Sequence, residues 1–151
     1  MARPYLIGIG VLLALLVIFA GSPLGNRFYM NLRPADEMLR GWEDYRATAF
    51  ERASQAREPV LVEIYASWCP VCLAQQEALN TLIAQGKLPE LRAFRVDYER
   101  DKDFLAQHNV RSTGTMILFL DGQEAGRALG LVTAPAIEAF LDRHMDNEAA
   151  S

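Results

Sequence analysis

Two cysteines stand three apart at Cys69-Pro70-Val71-Cys72, and the 151-residue chain has no others. Thiols at this spacing can close a reversible disulfide or ligate a metal as a pair. Their setting favours redox chemistry. Cys69 ends a short loop, Ala66-Ser67-Trp68, that follows the β-prone run Val60-Leu61-Val62-Glu63-Ile64-Tyr65, and Cys72 falls in the first turn of the next predicted helix. As the helix N-cap, the Cys69 sulfur can accept a hydrogen bond from the Cys72 backbone N–H. The helix dipole adds partial positive charge at the same place. Both effects favour the thiolate, so Cys69 is the expected nucleophile. Pro70 suits the first helical position, where its missing N–H would be unpaired anyway. Cys72, one turn in, is expected to be more buried and to attack a mixed disulfide on Cys69, releasing the partner. A structural zinc needs four ligands. The remaining candidates, His108 and His144, each lie more than thirty residues from their neighbours in the set, so no metal is expected. Both histidines read as surface residues on helices. A purely structural disulfide would gain little from so small a loop.

Elements must place this pair. The spacing of Met38, Trp42, Tyr45 and Ala49 predicts a helix from Pro34 to about Arg57, with Asp36 and Glu37 at its positive end. Glu58-Pro59 breaks it. Residues 60–65 form a continuous apolar strand, of the kind covered on both faces. Pro70 to about Gln85 is helical, with Gly86 as its stop. A second strand spans 91–98, a short helix 101–108 and a third strand 115–120. Asp121-Gly122 signals a hairpin leading to a fourth strand over 124–129. Thr133 can cap a last helix, with Pro135 in its first turn, ending near Met145 before a polar tail. Strands alternating with helices imply parallel pairing, and the hairpin adds antiparallel strands at one edge. The fold class is α/β: a mixed central sheet with helices on both faces.

Just over half of the chain is hydrophobic, against 23% charged. The excess sits in one run, Tyr5 to Ala20, preceded by Arg3 and followed by Gly21-Ser22-Pro23. A cut after Ala20 or after Ser22 would make a poor signal-peptide site, because Ile18 precedes the first and Pro23 follows the second. A retained helix from Tyr5 to about Leu24 is long enough to cross a hydrocarbon core of about 30 Å. The expected organisation is an anchor or uncleaved signal over 1–25, a linker over 26–34, one domain over 35–146 and a tail over 147–151. Arg27 and Arg33 after the run nearly balance Arg3 and the amino terminus before it, so the positive-inside count is close to a tie. With 15 basic against 19 acidic residues and no Lys/Arg cluster, the chain has no nucleic-acid footprint. The composition also excludes a disordered, collagen-like or disulfide-stapled miniprotein.

The segment Val62-Glu63-Ile64-Tyr65-Ala66-Ser67-Trp68-Cys69-Pro70-Val71-Cys72 resembles the active-site segment of the thioredoxin superfamily, and Asn109 to Phe119 resembles the segment leading into that family's hairpin. The resemblance covers roughly residues 45 to 145. Among superfamily members the chain looks most like membrane-tethered or periplasmic ones, including the thioredoxin-like end domain of the transmembrane thiol–disulfide electron transporter. It implies a three-layer thioredoxin-like fold behind one transmembrane helix, in the inner membrane, with the domain facing the periplasm. It implies catalysis by Cys69 and Cys72 without a cofactor beyond their own disulfide. Glu63 falls where the family carries a buried acid that moves a proton to or from the buried cysteine. A carboxyl in an apolar strand has a raised pKa suited to that task. The alternative for Glu63 is an exposed or water-linked residue at a strand end. Trp68 packs beside the site in the family, and plain core packing is its alternative. The implied substrate-contacting residues are Trp68, Pro70, Val71, Thr113 and Gly114.

Gly114 departs from the pattern, because thioredoxins carry a cis-proline there. A cis bond before a non-proline residue costs about 3–4 kcal/mol, so a trans Thr113–Gly114 bond or a remodelled loop is expected. In the family this loop pairs with the substrate's extended backbone, and glycine leaves it less preorganised. Direction of electron flow has opposed cues. Proline first between the cysteines is found in several glutaredoxins and oxidising periplasmic proteins, whereas the Ala66-Ser67-Trp68 lead-in looks like the reducing branch. The expected function is a membrane-anchored thiol–disulfide oxidoreductase acting on exported proteins, as a reductase supplied by a membrane electron donor. Its competitor is a non-catalytic thioredoxin-fold subunit or chaperone of a membrane complex.

Overall fold

Side chains alternate between the faces of a strand, so an unbroken apolar run needs cover on both sides. The computed structural model, which describes residues 3–22, 24–25 and 39–149 with side chains for 8–22, 24–25 and 39–146, shows that cover in place. Strand β2 (Val60–Tyr65) lies at the centre of a five-stranded sheet, with β1 (Trp42–Asp44), β3 (Arg92–Asp97), β4 (Thr115–Leu120) and β5 (Gln123–Leu129) in the order β1-β3-β2-β4-β5. β1, β3 and β2 run parallel, and β4 and β5 are antiparallel. Every residue of β2 and β4 is buried.

The two faces hold separate core layers. Val60, Val62 and Ile64 of β2 join Phe94, Val96, Ile117 and Phe119 against Ala49 and Phe50 of α2 (Ala47–Gln55) and Phe104 and Leu105 of α4 (Lys102–Gln107). Leu61 joins Ala93, Met116 and Leu118 on the other face. That face packs on Leu79 and Leu82 of α3 (Pro70–Ala84) and Ile137 and Leu141 of α5 (Ala134–Ala149). Fully burying one such side chain contributes about 1.5–3 kcal/mol. The α/β three-layer fold with a mixed sheet is therefore present, and β2 and β4 occupy the predicted spans.

The predicted helix from Pro34 differs. Its start, through Met38, lies outside the described residues, as does the linker over 26–34. From Trp42 the chain is a strand, paired as Trp42↔Ala93, Glu43↔Phe94 and Asp44↔Arg95. Ion pairs from Glu43 to Arg92 and from Asp44 to Arg95 tie the same strands together. The helix begins only at Ala47. Trp42 packs in one core layer while Ala49 and Tyr45 pack with the other. Their helical spacing is coincidental, and tertiary pairing overrides it.

The Asp121-Gly122 turn has both residues at positive φ, 49° and 76°, as a tight two-residue hairpin requires. A Cβ on Gly122 would stand 2.9 Å from the Ser54 carbonyl oxygen at the end of α2. α5 runs on to Ala149 rather than ending at Met145, since no glycine or proline stops it. The histidines are not surface residues. The His108 ring packs 4.3 Å from Phe104 and 5.2 Å from Phe119, and burial lowers its pKa. His144 packs 4.9 Å from Phe140 and covers Gly126, where a Cβ would collide with it.

The chain divides into two units, Met1–Asp36 and Glu37–Ser151. In the first, α1 (Arg3–Ala20) is apolar from Gly8 to Ala20, with each of those side chains exposed. It stops short of Leu24, where the Ser22 N–H and hydroxyl both turn back to donate to Phe19 O, at 3.0 and 2.7 Å. At 1.5 Å per residue α1 spans about 27 Å. Among the described residues no helix is long and apolar enough to cross a membrane.

Candidate active site

β2 delivers the chain to the site. After Tyr65 the backbone turns through Ala66-Ser67-Trp68, closed by Cys69 N–H donating to Ala66 O at 3.0 Å. Cys69 has extended backbone angles and caps α3: its sulfur accepts from Cys72 N–H at 3.1 Å. Pro70 opens the helix. Cys69 and Cys72 are joined as a disulfide, 5.3 Å apart at Cα. Cys69 is 3% exposed and Cys72 not at all. The cap and the burial order predicted from the sequence are both present. The Cys72 sulfur lies 3.7 Å from the Ile64 carbonyl oxygen.

Glu63 is fully buried rather than water-linked. It shares the face of β2 with Leu61 and Tyr65, under α3. Neither carboxyl oxygen has a hydrogen-bond partner among the described residues. Burial pushes its pKa up to about 8; the Arg95 charge and the Gln76 side chain pull the other way without offsetting it. Such a group takes or gives a proton near neutrality. Arg95 sits opposite Glu63 on β3, its guanidinium 4.6 Å over the Tyr65 ring and 3.3 Å from Asp44. Sequence reasoning passed over Arg95, Gln75 and Gln76. The signal was there: an arginine in a strand and two adjacent glutamines on an otherwise apolar helix turn. Assigning them needed the register and the helix face.

The rim is exposed. Trp68 is 48% and Val71 38% exposed, and the Trp68 indole N–H donates to Glu99 at 3.0 Å. Core packing is thus not the role of Trp68. Pro70 is also exposed. Gly114 comes to the opposite side of the site, with φ +69° and a trans peptide bond before it. A Cβ there would stand 2.7 Å from Val71 Cγ1, so glycine permits the close approach. The structure therefore brings Val71 and Gly114 together at the cysteine pair, with Pro70, Trp68 and Thr113 next to them in the chain, and buries Glu63 in β2 one residue before Ile64, whose carbonyl oxygen lies 3.7 Å from the Cys72 sulfur. No group of three or more metal-binding side chains occurs among the described residues.

Residues 43–143 match the thioredoxin family model. This chain belongs to the thioredoxin family. Among thioredoxins, that of Synechococcus elongatus named thioredoxin 1 is 27% identical over 66% of this chain and 92% of its own length. Chlamydia trachomatis thioredoxin is 32% identical over 56% of this chain and 81% of its own. The crystal structure of Trxlp from Edwardsiella tarda superposes with a TM-score of 0.62 at 40% identity, covering 66% of this chain and 97% of that one. Thioredoxins act on protein disulfides through a redox-active disulfide and no further cofactor, and this chain carries that pair. It is a thioredoxin-type thiol–disulfide oxidoreductase.

Proposed function

We propose that this chain is a membrane-anchored reductase of disulfides in exported proteins. The observation that carries the chemistry is the Cys69–Cys72 pair at the start of α3, with the buried neutral acid Glu63 beneath it. Cys69 thiolate attacks one sulfur of a partner disulfide, forming a mixed disulfide and expelling the other sulfur as a thiolate. Glu63, in the fraction that is ionised near its pKa of about 8, takes the Cys72 proton. Cys72 attacks the Cys69 sulfur, breaks the mixed disulfide and closes the Cys69–Cys72 bond. The partner gains two electrons, and a membrane dithiol donor restores the pair by the reverse exchange. Trp68, Pro70, Val71 and the Thr113–Gly114 loop form the surface that meets the partner chain.

Attachment to the inner membrane is supported by α1, whose thirteen residues from Gly8 to Ala20 are all exposed and carry no polar side chain. The length of α1, about 27 Å, falls only slightly short of a hydrocarbon core of about 30 Å. A periplasmic face is the placement that the resemblance of the 62–72 segment to tethered superfamily members implies.

A Cys72→Ser variant tests the function. It is expected to accumulate mixed disulfides through Cys69 with exported proteins, in the alkali-resistant membrane fraction and accessible to an external thiol reagent. A reduction potential near the thioredoxin value of about −270 mV supports the reductase direction, and one near that of strong oxidants reverses it. Absence of any trapped partner, while complex binding survives loss of both cysteines, would replace the enzyme with a non-catalytic subunit.

A further inference from the structure

Gln75 lies on α3 three residues after Cys72 and is fully buried. Its amide nitrogen donates to the Gly114 carbonyl oxygen at 3.2 Å, and Gly130 N–H donates to the same oxygen at 3.0 Å. A carbonyl oxygen has two lone pairs, so this acceptor is filled. Gly114 N–H in turn donates to Ile64 O at 2.9 Å. Ile64 O also lies 3.7 Å from the Cys72 sulfur. Both main-chain groups of Gly114 are therefore satisfied inside the protein. Thr113, one residue earlier and half-buried, has no main-chain partner among the described residues.

The same glutamine carries an anomaly. Its Oε1 is buried without a partner. A buried amide with an unsatisfied oxygen lowers stability relative to an apolar side chain of the same size. Neighbouring positions on this helix face are apolar: Ala78, Leu79 and Leu82. Packing alone thus argues for leucine or methionine at 75. What the glutamine supplies in exchange is one hydrogen bond to Gly114, at a loop where glycine removes the stiffness of a proline ring.

We infer that Gln75 is a positioning residue for the protein substrate: its amide latches the Gly114 carbonyl to α3, so that the free main-chain groups of Thr113 are held ready for an extended partner segment beside the cysteine pair. The latch restores by hydrogen bonding the order that a proline would impose covalently. The inference rests on the proposed role of the Thr113–Gly114 loop in meeting substrate. Gln75 touches neither substrate nor sulfur in this role. It acts through Gly114.

The test compares Gln75→Leu and Gln75→Met with the parent, all full-length in detergent. Reduction of insulin reads loop-dependent exchange, and reduction of the small aromatic disulfide 5,5′-dithiobis(2-nitrobenzoate) reads sulfur chemistry alone. The variants are expected to unfold at equal or higher urea, while the Gly114 and Gly130 amides exchange about tenfold faster with deuterium. The KM for insulin should rise about fivefold with kcat within about twofold, and the small disulfide should react within about twofold of the parent. Unchanged amide exchange, an unchanged insulin KM, or equal losses with both substrates overturns the inference. Should the leucine variant fail to fold, amide exchange and the two rates in the methionine variant decide. A parent protein that reduces neither substrate would overturn the oxidoreductase reading instead, so the two failures are separable.

Discussion

Glu63 is the residue whose environment does most to set pH behaviour. Its carboxyl ionises at 4.5 when free and at about 8 in the fold, because burial outweighs the Arg95 charge. Below pH 4.5 it is protonated in both states and costs nothing. Above that, the unfolded chain gains by ionising while the folded chain does not, so stability falls from there up to about pH 8. Glu63→Gln removes this penalty. The variant is expected to match the parent near pH 4.5 and to exceed it by on the order of 5 kcal/mol at pH 8.5. Urea midpoints of the oxidised proteins at the two pH values check this, and a pH-independent difference would contradict a neutral buried acid. Under the proposed mechanism the same substitution takes away the proton acceptor for Cys72. Resolution of the mixed disulfide, followed by stopped flow, should slow by roughly tenfold to a hundredfold.

The elements around the site work through their ends. α3 presents its N-terminus to Cys69, and the β2 terminus supplies Ile64 O, which accepts from Gly114 N–H and lies 3.7 Å from the Cys72 sulfur. Proline at 114 would need φ near −65° in place of +69° and would delete the N–H to Ile64. Gly114→Pro is thus expected to lose about 2–4 kcal/mol of stability and to change the range of partners trapped by Cys69. An unaltered urea midpoint and partner range would show that the loop geometry is incidental. The hairpin turn is equally constrained. Gly122→Ala places a Cβ against Ser54 O at a positive φ, and should cost about 2 kcal/mol by the same measurement.

At the scale of the whole domain, the layer under α2 and α4 is an aromatic cluster centred on Phe50, whose ring lies 5.1–6.1 Å from those of Tyr45, Phe94, Phe104, His108 and Phe119. Phe50→Ala is expected to cost about 3–5 kcal/mol. The Cys69 cap lies on the other side of the sheet, so its exchange rate should survive at temperatures where the variant remains folded. Thermal unfolding alongside a thiol-exchange assay checks both halves. α1 is organised on opposite terms: its apolar side chains face outward, so its surroundings and not its own packing must cover them.

Local chemistry was legible in the chain itself. Unbroken apolar runs marked β2 and β4, Asp121-Gly122 marked the hairpin, and the cysteine spacing after a strand marked Cys69 as the N-cap, because each depends on neighbours close in sequence. Three dimensions decided the rest. Trp42-Glu43-Asp44 became a strand because Ala93-Phe94-Arg95 lies alongside it. Glu63 became a neutral acid because α3 covers its face of the sheet. Gln75 became a partner of Gly114, thirty-nine residues away, through one hydrogen bond. Periodicity records which side of an element is apolar, but pairing, desolvation and long-range hydrogen bonds depend on what the fold brings to that side.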